Sequence, residues 1–244
     1  MTLVLVHGSG FDASCWDLLL PYLQTPAITV DLPGRGSRPA ELSEVGLDDF
    51  AAAVAEDIAA TGWERVVLVG HSLAGLTIPR VAALVPDVVA RLVFVSSNVP
   101  AHGQGCLETL DAALADGVRA NIASNGGVSP VLEREMSVAL YGNDLDDDQL
   151  AWMLAHSLPE AGRVLLDPCD LSGLAHPIPR TWIRLTRDQA GTVEMQDQFI
   201  ANLGGAEVID LDAGHMAMIS QPAALAAILD AIASCAREEV AAPD

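Results

Sequence analysis

The chain contains no lysine; all 12 of its basic residues are arginine. Beside abundant alanine, that bias implies a GC-rich bacterial genome, which concerns codons rather than activity. Positive charge is scarce altogether. Thirty-three acidic residues against 12 basic ones give a formal net charge of −21. Such a surface repels nucleic-acid phosphates and anionic lipid heads, so neither nucleic acid nor membrane is an expected partner. Aromatic residues make up only 4% of the chain, whereas 51% is hydrophobic, mostly Ala, Leu and Val. That balance favours helices packed on a sheet over a β-sandwich. No apolar run approaches the ~18 residues that cross a bilayer. The four cysteines, Cys15, Cys106, Cys169 and Cys235, form neither a CxxC pair nor a Cys/His ligand pattern, so no metal is expected. The opening "MTLVLVHGSG" lacks the basic and long apolar regions of a secretion signal. A reduced, cytoplasmic location is the expectation.

What the chain does have is a rhythm of short apolar runs, each followed by a turn signal and a longer helical stretch. The runs are Leu3–Val6, Ala27–Val30, Val66–Val69, Leu92–Val95, Thr181–Leu185 and Glu207–Leu211. Read as continuously apolar, they imply six strands buried on both faces. Between them, Asp48–Thr61 places Phe50, Val54 and Ile58 on one helical face and ends at Gly62. Leu73–Val85, Val193–Leu203 and Pro222–Ala236 also read as helices. Alternation of this kind implies a mostly parallel α/β sheet with right-handed crossovers and helices on both sides. The rhythm breaks between residues 99 and 179, about eighty residues that are too long for a connector. They carry helical patches at Leu107–Ala115 and Gln149–His156, and an acidic run, Asp144–Asp148, that reads as a solvated turn. The expected organisation is a core of residues 1–98 and 180–244 with a helical cap, residues 99–179, inserted after the fourth strand.

Open parallel sheets bind ligands beyond the carboxyl ends of their strands. The first strand ends in His7-Gly8-Ser9, the third leads to Ser72, the fifth to Asp188 and the sixth to His215. Gly70-His71-Ser72-Leu73-Ala74-Gly75 sits where a strand becomes a helix, the setting of a nucleophile elbow. A plain helix-capping serine would not account for an acid and a histidine at later strand ends in the order Ser, Asp, His. Asp167, Asp170 and Glu194 compete for the acid, but Asp188 alone directly follows a strand. The fourth strand ends in Ser96, Ser97 and Asn98, which offer no carboxylate.

The pieces "LVLVHGSGFDASCW", "DLPGRG", "VVLVGHSLAG", "LVFVSSNVP", "TWIRLTRDQ" and "DAGHMAMISQP" span nearly the whole chain. On them the chain resembles the α/β-hydrolases, within the branch of methylesterases and hydroxynitrile lyases, as an esterase-type bacterial member. One departure is Ala74, with glycine one place late at Gly75. The chain reads directly into the strand carrying His7-Gly8, so the expectation is that the family's usual entry hairpins are absent or reduced. The resemblance implies Ser72 as nucleophile, His215 as general base and Asp188 as its orienting acid. It implies backbone N–H groups of Ser9 and Leu73 as the oxyanion hole. It also implies His7 and His71 as structural histidines beside the pocket, with Gly8, His71, Met216 and Cys15 bordering the substrate, a purely structural role being the alternative for the side chains of Ser9 and Cys15. No cofactor is implied.

Lyases of this branch carry threonine at the place of Gly8 and lysine at the place of Met216. The sequence therefore resembles the esterases. Ser72 excludes epoxide hydrolases and dehalogenases, which need a carboxylate nucleophile. The expectation is a serine carboxylesterase acting on a small or medium apolar ester, as monomer or homodimer. Leu107, Leu110, Leu114, Met136, Leu140, Met153 and Leu154 are expected either to form an apolar acyl pocket in the cap or to be the cap's own core. The alternatives are a tailoring enzyme of secondary metabolism on the same triad (cyclisation, acyl transfer, decarboxylation or elimination) and a non-enzymatic small-molecule binder.

Overall fold

A computed structural model describes residues 1–241. The first half holds β1 (Thr2–Val6), β2 (Ala27–Val30), α1 (Leu47–Thr61), β3 (Val66–His71), α2 (Ile78–Leu84) and β4 (Val89–Val95). An inserted segment follows with α3 (Ala112–Ser124), β5 (Val128–Ser129), α4 (Arg134–Tyr141), α5 (Asp147–Ala155), β6 (Glu160–Ala161) and α6 (Gly162–Leu166). The chain then resumes with β7 (Arg180–Leu185), α7 (Val193–Asn202), β8 (Glu207–Leu211), α8 (Ala217–Ser220) and α9 (Pro222–Ala241). The main sheet has six strands in the order β2-β1-β3-β4-β7-β8, and every pairing in it is parallel. β5 and β6 pair antiparallel as a separate ribbon inside the insertion.

The continuous apolar runs are explained by two cores, one on each face of the sheet. Val66 and Leu68 pack with Phe50, Val54, Ile58, Ile78 and Phe199 on one side. Val67 and Val69 pack with Trp16, Met218, Leu225 and Leu229 on the other. Successive side chains of a strand point to opposite faces, so a central strand between two helical layers must be apolar at every position. β8 departs from the expectation of burial on both faces. Glu207, Val208 and Asp210 are exposed, because β8 is an edge strand with a free outer side. β2, the opposite edge, is only partly buried.

The helices also refine the reading. α1 ends at Gly62, whose φ of 68° is left-handed and suits a residue without Cβ. The run expected as one helix, Leu73–Val85, is a 3-10 turn over Ser72–Leu76 followed by α2. Pro79 lies in the first turn of α2, where its missing N–H costs least. In the insertion, Leu107–Ala115 is likewise split. A 3-10 turn spans Cys106–Thr109, and Asp111 then caps α3 by accepting from the Leu114 N–H at 2.9 Å. No helix among the described residues is long and apolar enough to cross a membrane.

Candidate active site

β3 ends at His71, and the next residue turns abruptly. Ser72 has φ of 53°, a left-handed conformation rare outside glycine. Its surroundings hold it there. The Ser72 carbonyl accepts from the Asn98 N–H at 2.8 Å. A Cβ on Gly8 would lie 2.8 Å from Ser72 Cβ, and one on Gly70 would lie 3.0 Å from Ile78 Cγ2. Gly75 is also obligatory, since a Cβ there would lie 2.5 Å from the Asn98 carbonyl oxygen. This accounts for the unusual Ala74-Gly75 order. The position abutting the β4 loop is 75, while the Ala74 methyl fits beside Gly70.

His215 follows β8 and Asp188 follows β7. The two loops are joined where the Arg187 N–H donates to the Ala213 carbonyl at 3.0 Å. His215 Nδ1–H donates to Asp188 Oδ2 at 2.7 Å, and Ser72 Oγ–H donates to His215 Nε2 at 3.0 Å. The carboxylate takes the proton-bearing Nδ1, which leaves Nε2 free to accept from the serine. Burial opposes charge on Asp188. The His215 ring, the hydroxyl of Ser96 at 2.6 Å and the N–H groups of Ala190 and Gly191 outweigh it and hold the carboxyl below its ordinary range. Asp188 and His215 are buried, and Ser72 is partly exposed.

The residues 3–228 match the model of the alpha/beta hydrolase family. The chain belongs to that family. This α/β-hydrolase is 29% identical to a probable esterase, PIR7A, of rice (Oryza sativa), over 95% of this chain and 96% of that one. It is 30% identical to norfluorocurarine synthase 2 of Strychnos, over 90% of each. In structure it is similar to an extracellular α/β-hydrolase of a Paenibacillus species, described as homologous in structure and function to tobacco salicylic acid binding protein 2. The TM-score is 0.85 at 24% identity, over 94% of this chain and 97% of that one.

In this α/β-hydrolase the competing acids are spent elsewhere. Asp167 accepts from the Leu47 N–H at the start of α1, Asp170 accepts from the Ser172 N–H, and Glu194 lies in the first turn of α7. Both structural histidines are buried. His7 Nδ1–H donates to the Gly8 carbonyl at 2.8 Å, and its Nε2 accepts from the Leu32 N–H at 3.3 Å. His71 Nε2–H donates to the His215 carbonyl at 2.9 Å. Burial, and then the neighbouring His215 ring, push His71 down to about 3, so it stays neutral beside His215.

The expected pocket needs correction. Cys15 and Met216 are packed in the core on one face of the sheet, not exposed at the site, and His71 is buried against the His215 ring. Burial also pushes the Cys15 thiol well up, away from a reactive thiolate. Leu114 and Met136 are half exposed, and Met153, on α5 of the insertion, is fully buried. A two-dimensional pattern of apolar residues does not tell a pocket wall from a helix's outer face. Gly8 does adjoin Ser72.

Sequence reasoning missed Ser96, the hydroxyl that holds Asp188. Its position directly after β4 is the available signal, although a hydroxyl there does not stand out as a carboxylate would. Tyr141 was also missed. It reaches the site from α4 in the insertion, and nothing local in the sequence marks that contact.

Proposed function

We propose that this α/β-hydrolase is a serine carboxylesterase that works through Ser72, His215 and Asp188. The observation supporting it is the continuous hydrogen-bonded line from Ser72 Oγ through the His215 ring to Asp188 Oδ2. Ser72 Oγ attacks the ester carbonyl as its proton passes to His215 Nε2. The tetrahedral intermediate collapses, the bond to the alcohol oxygen breaks, and His215 returns the proton to the departing alcohol. Water then gives its proton to His215, attacks the acyl-enzyme, and releases the acid and free Ser72.

The developing oxyanion is received by the N–H groups of Ser9 and Leu73. Neither donates to a protein acceptor among the described residues, so both are available. Residues 99–179 act as a cap over this site. The substrate is a small or medium apolar ester, since Tyr141 lies directly on the His215 ring and limits the space. All four cysteines are unpaired, which supports a reducing compartment.

A tailoring reaction on the same triad is the second reading, favoured by the 30% identity to a relative named as a synthase. The test is labelling by a fluorophosphonate and turnover of p-nitrophenyl acetate, both lost in Ser72→Ala. Labelling with negligible turnover on a broad ester panel selects the tailoring reading, and absence of labelling in folded protein rejects both.

A further inference from the structure

Two carboxylates of the inserted segment are buried, with side chains 1% exposed for Asp144 and 5% for Glu160. Asp144 belongs to the run expected as a solvated turn. Only its later members behave so, Asp146 capping α5 at the surface. Each buried carboxylate accepts a backbone N–H from a glycine next to a site residue. Gly214, immediately before His215, donates to Asp144 Oδ2 at 2.6 Å. Gly10, immediately after Ser9, donates to Glu160 Oε2 at 3.0 Å.

Neighbouring contacts repeat the pattern. Asn143 Nδ2 donates at 2.9 Å to the carbonyl of Arg187, the residue before Asp188. The Leu158 N–H donates to the Gly10 carbonyl at 2.8 Å. Glu160 Oε1 is held by Arg35 at 2.5 Å and by the Ala161 N–H at 2.8 Å. A side chain at position 214 would overlap the Asp144 carboxylate, and Gly10 takes a φ of 73°. Burying a carboxylate is costly, and Asp144 has only Arg187 at 3.8 Å as a counter-charge. A residue needed only to fill space would not carry that charge.

We infer that Asp144 and Glu160 are positioning residues: by these two bonds the inserted segment sets the base loop and the oxyanion loop at the spacing that the reaction at Ser72 requires. The inference rests on the esterase reading. A bond to the Gly214 N–H fixes the peptide that leads into His215, and a bond to the Gly10 N–H fixes the peptide that follows Ser9. A carboxylate suits the task because charge-assisted bonds to N–H groups are shorter and stronger than neutral ones.

The test measures kcat and KM for p-nitrophenyl acetate, with Ser72→Ala as the control and circular dichroism to report folding. Asp144→Leu removes one acceptor. The double variant Arg35→Met, Glu160→Met removes the other while replacing the whole buried ion pair with apolar side chains of similar size, a change that often preserves stability. Both are expected to lose between about tenfold and about 100-fold in kcat, with KM within about threefold of wild type. Asp144→Asn and Glu160→Gln keep an oxygen for the glycine N–H and are expected to lose about three- to tenfold. A kcat within about twofold of wild type in the apolar variants, or a loss confined to KM, overturns the inference. If an apolar variant does not fold, its amide counterpart decides: the smaller kcat loss supports the inference and an unchanged kcat overturns it. Ser72-dependent turnover with unaffected variants rejects this inference alone, whereas wild-type protein without such turnover rejects the esterase reading and this inference with it.

Discussion

Tyr141 is stacked on His215, with ring centroids 5.1 Å apart and planes inclined by 26°. The imidazole also meets His71, with ring centroids 4.7 Å apart, and His71 in turn meets Trp16 edge-on. The His215 ring thus touches one ring from the sheet and one from the insertion. On the proposed esterase reading, a π-face favours the imidazolium that would form during each proton transfer. Aromatic pairs contribute about 0.5–1.5 kcal/mol beyond burial, so Tyr141→Ala is expected to lower kcat by about two- to tenfold. Tyr141→Phe keeps the ring and is expected to stay near wild type. Steady-state kinetics on one ester separate the two.

The left-handed backbone at Ser72 carries a strain cost, which on the proposed esterase reading the reaction requires and the fold does not. Ser72→Gly removes that cost together with the proposed nucleophile. It is expected to raise stability by about 1 kcal/mol while abolishing turnover, as read by urea denaturation and ester hydrolysis. A variant no more stable than wild type would show that the neighbouring contacts relieve the strain.

Acid is expected to destabilise the protein from about pH 6.5 downward, where histidine protonates in the unfolded chain. His71 is pushed down to about 3 in the folded protein, by burial and then by the His215 ring. Burial likewise lowers His7, with the Gly8 carbonyl opposing it. Between the folded and unfolded values the unfolded chain binds more protons, so stability falls as pH falls. Asp188, whose carboxyl is held low, adds a loss of the same sign at more acidic pH. Each histidine contributes a slope of up to about 1.4 kcal/mol per pH unit. His71→Gln, which keeps an N–H for the His215 carbonyl, is expected to flatten the dependence of the urea midpoint on pH between 7 and 5.

The architecture was legible in the linear chain for a local reason. Six apolar runs and their turn signals mark a sheet, because a strand covered on both sides cannot admit polar residues without unpaired groups. Ser72, Asp188 and His215 stood out because each follows a strand, and parallel strands bring their carboxyl ends to one edge. The misreadings share a cause as well. β8 reads as buried in the sequence because an edge position is a property of the sheet, not of the strand.

The support around the three side chains belongs to distance in space. Ser96, Tyr141, Asp144 and Glu160 come from β4 and from the insertion, far along the chain from the groups they touch. Asp144 has the same composition around it as a solvated turn, and only its seat against Gly214 distinguishes it. Local patterning dictates which face of an element is apolar and where it stops. Which buried hydroxyl or carboxylate reaches which backbone amide depends on how an eighty-residue excursion, roughly, returns to the sheet, and no short-range rule encodes that return.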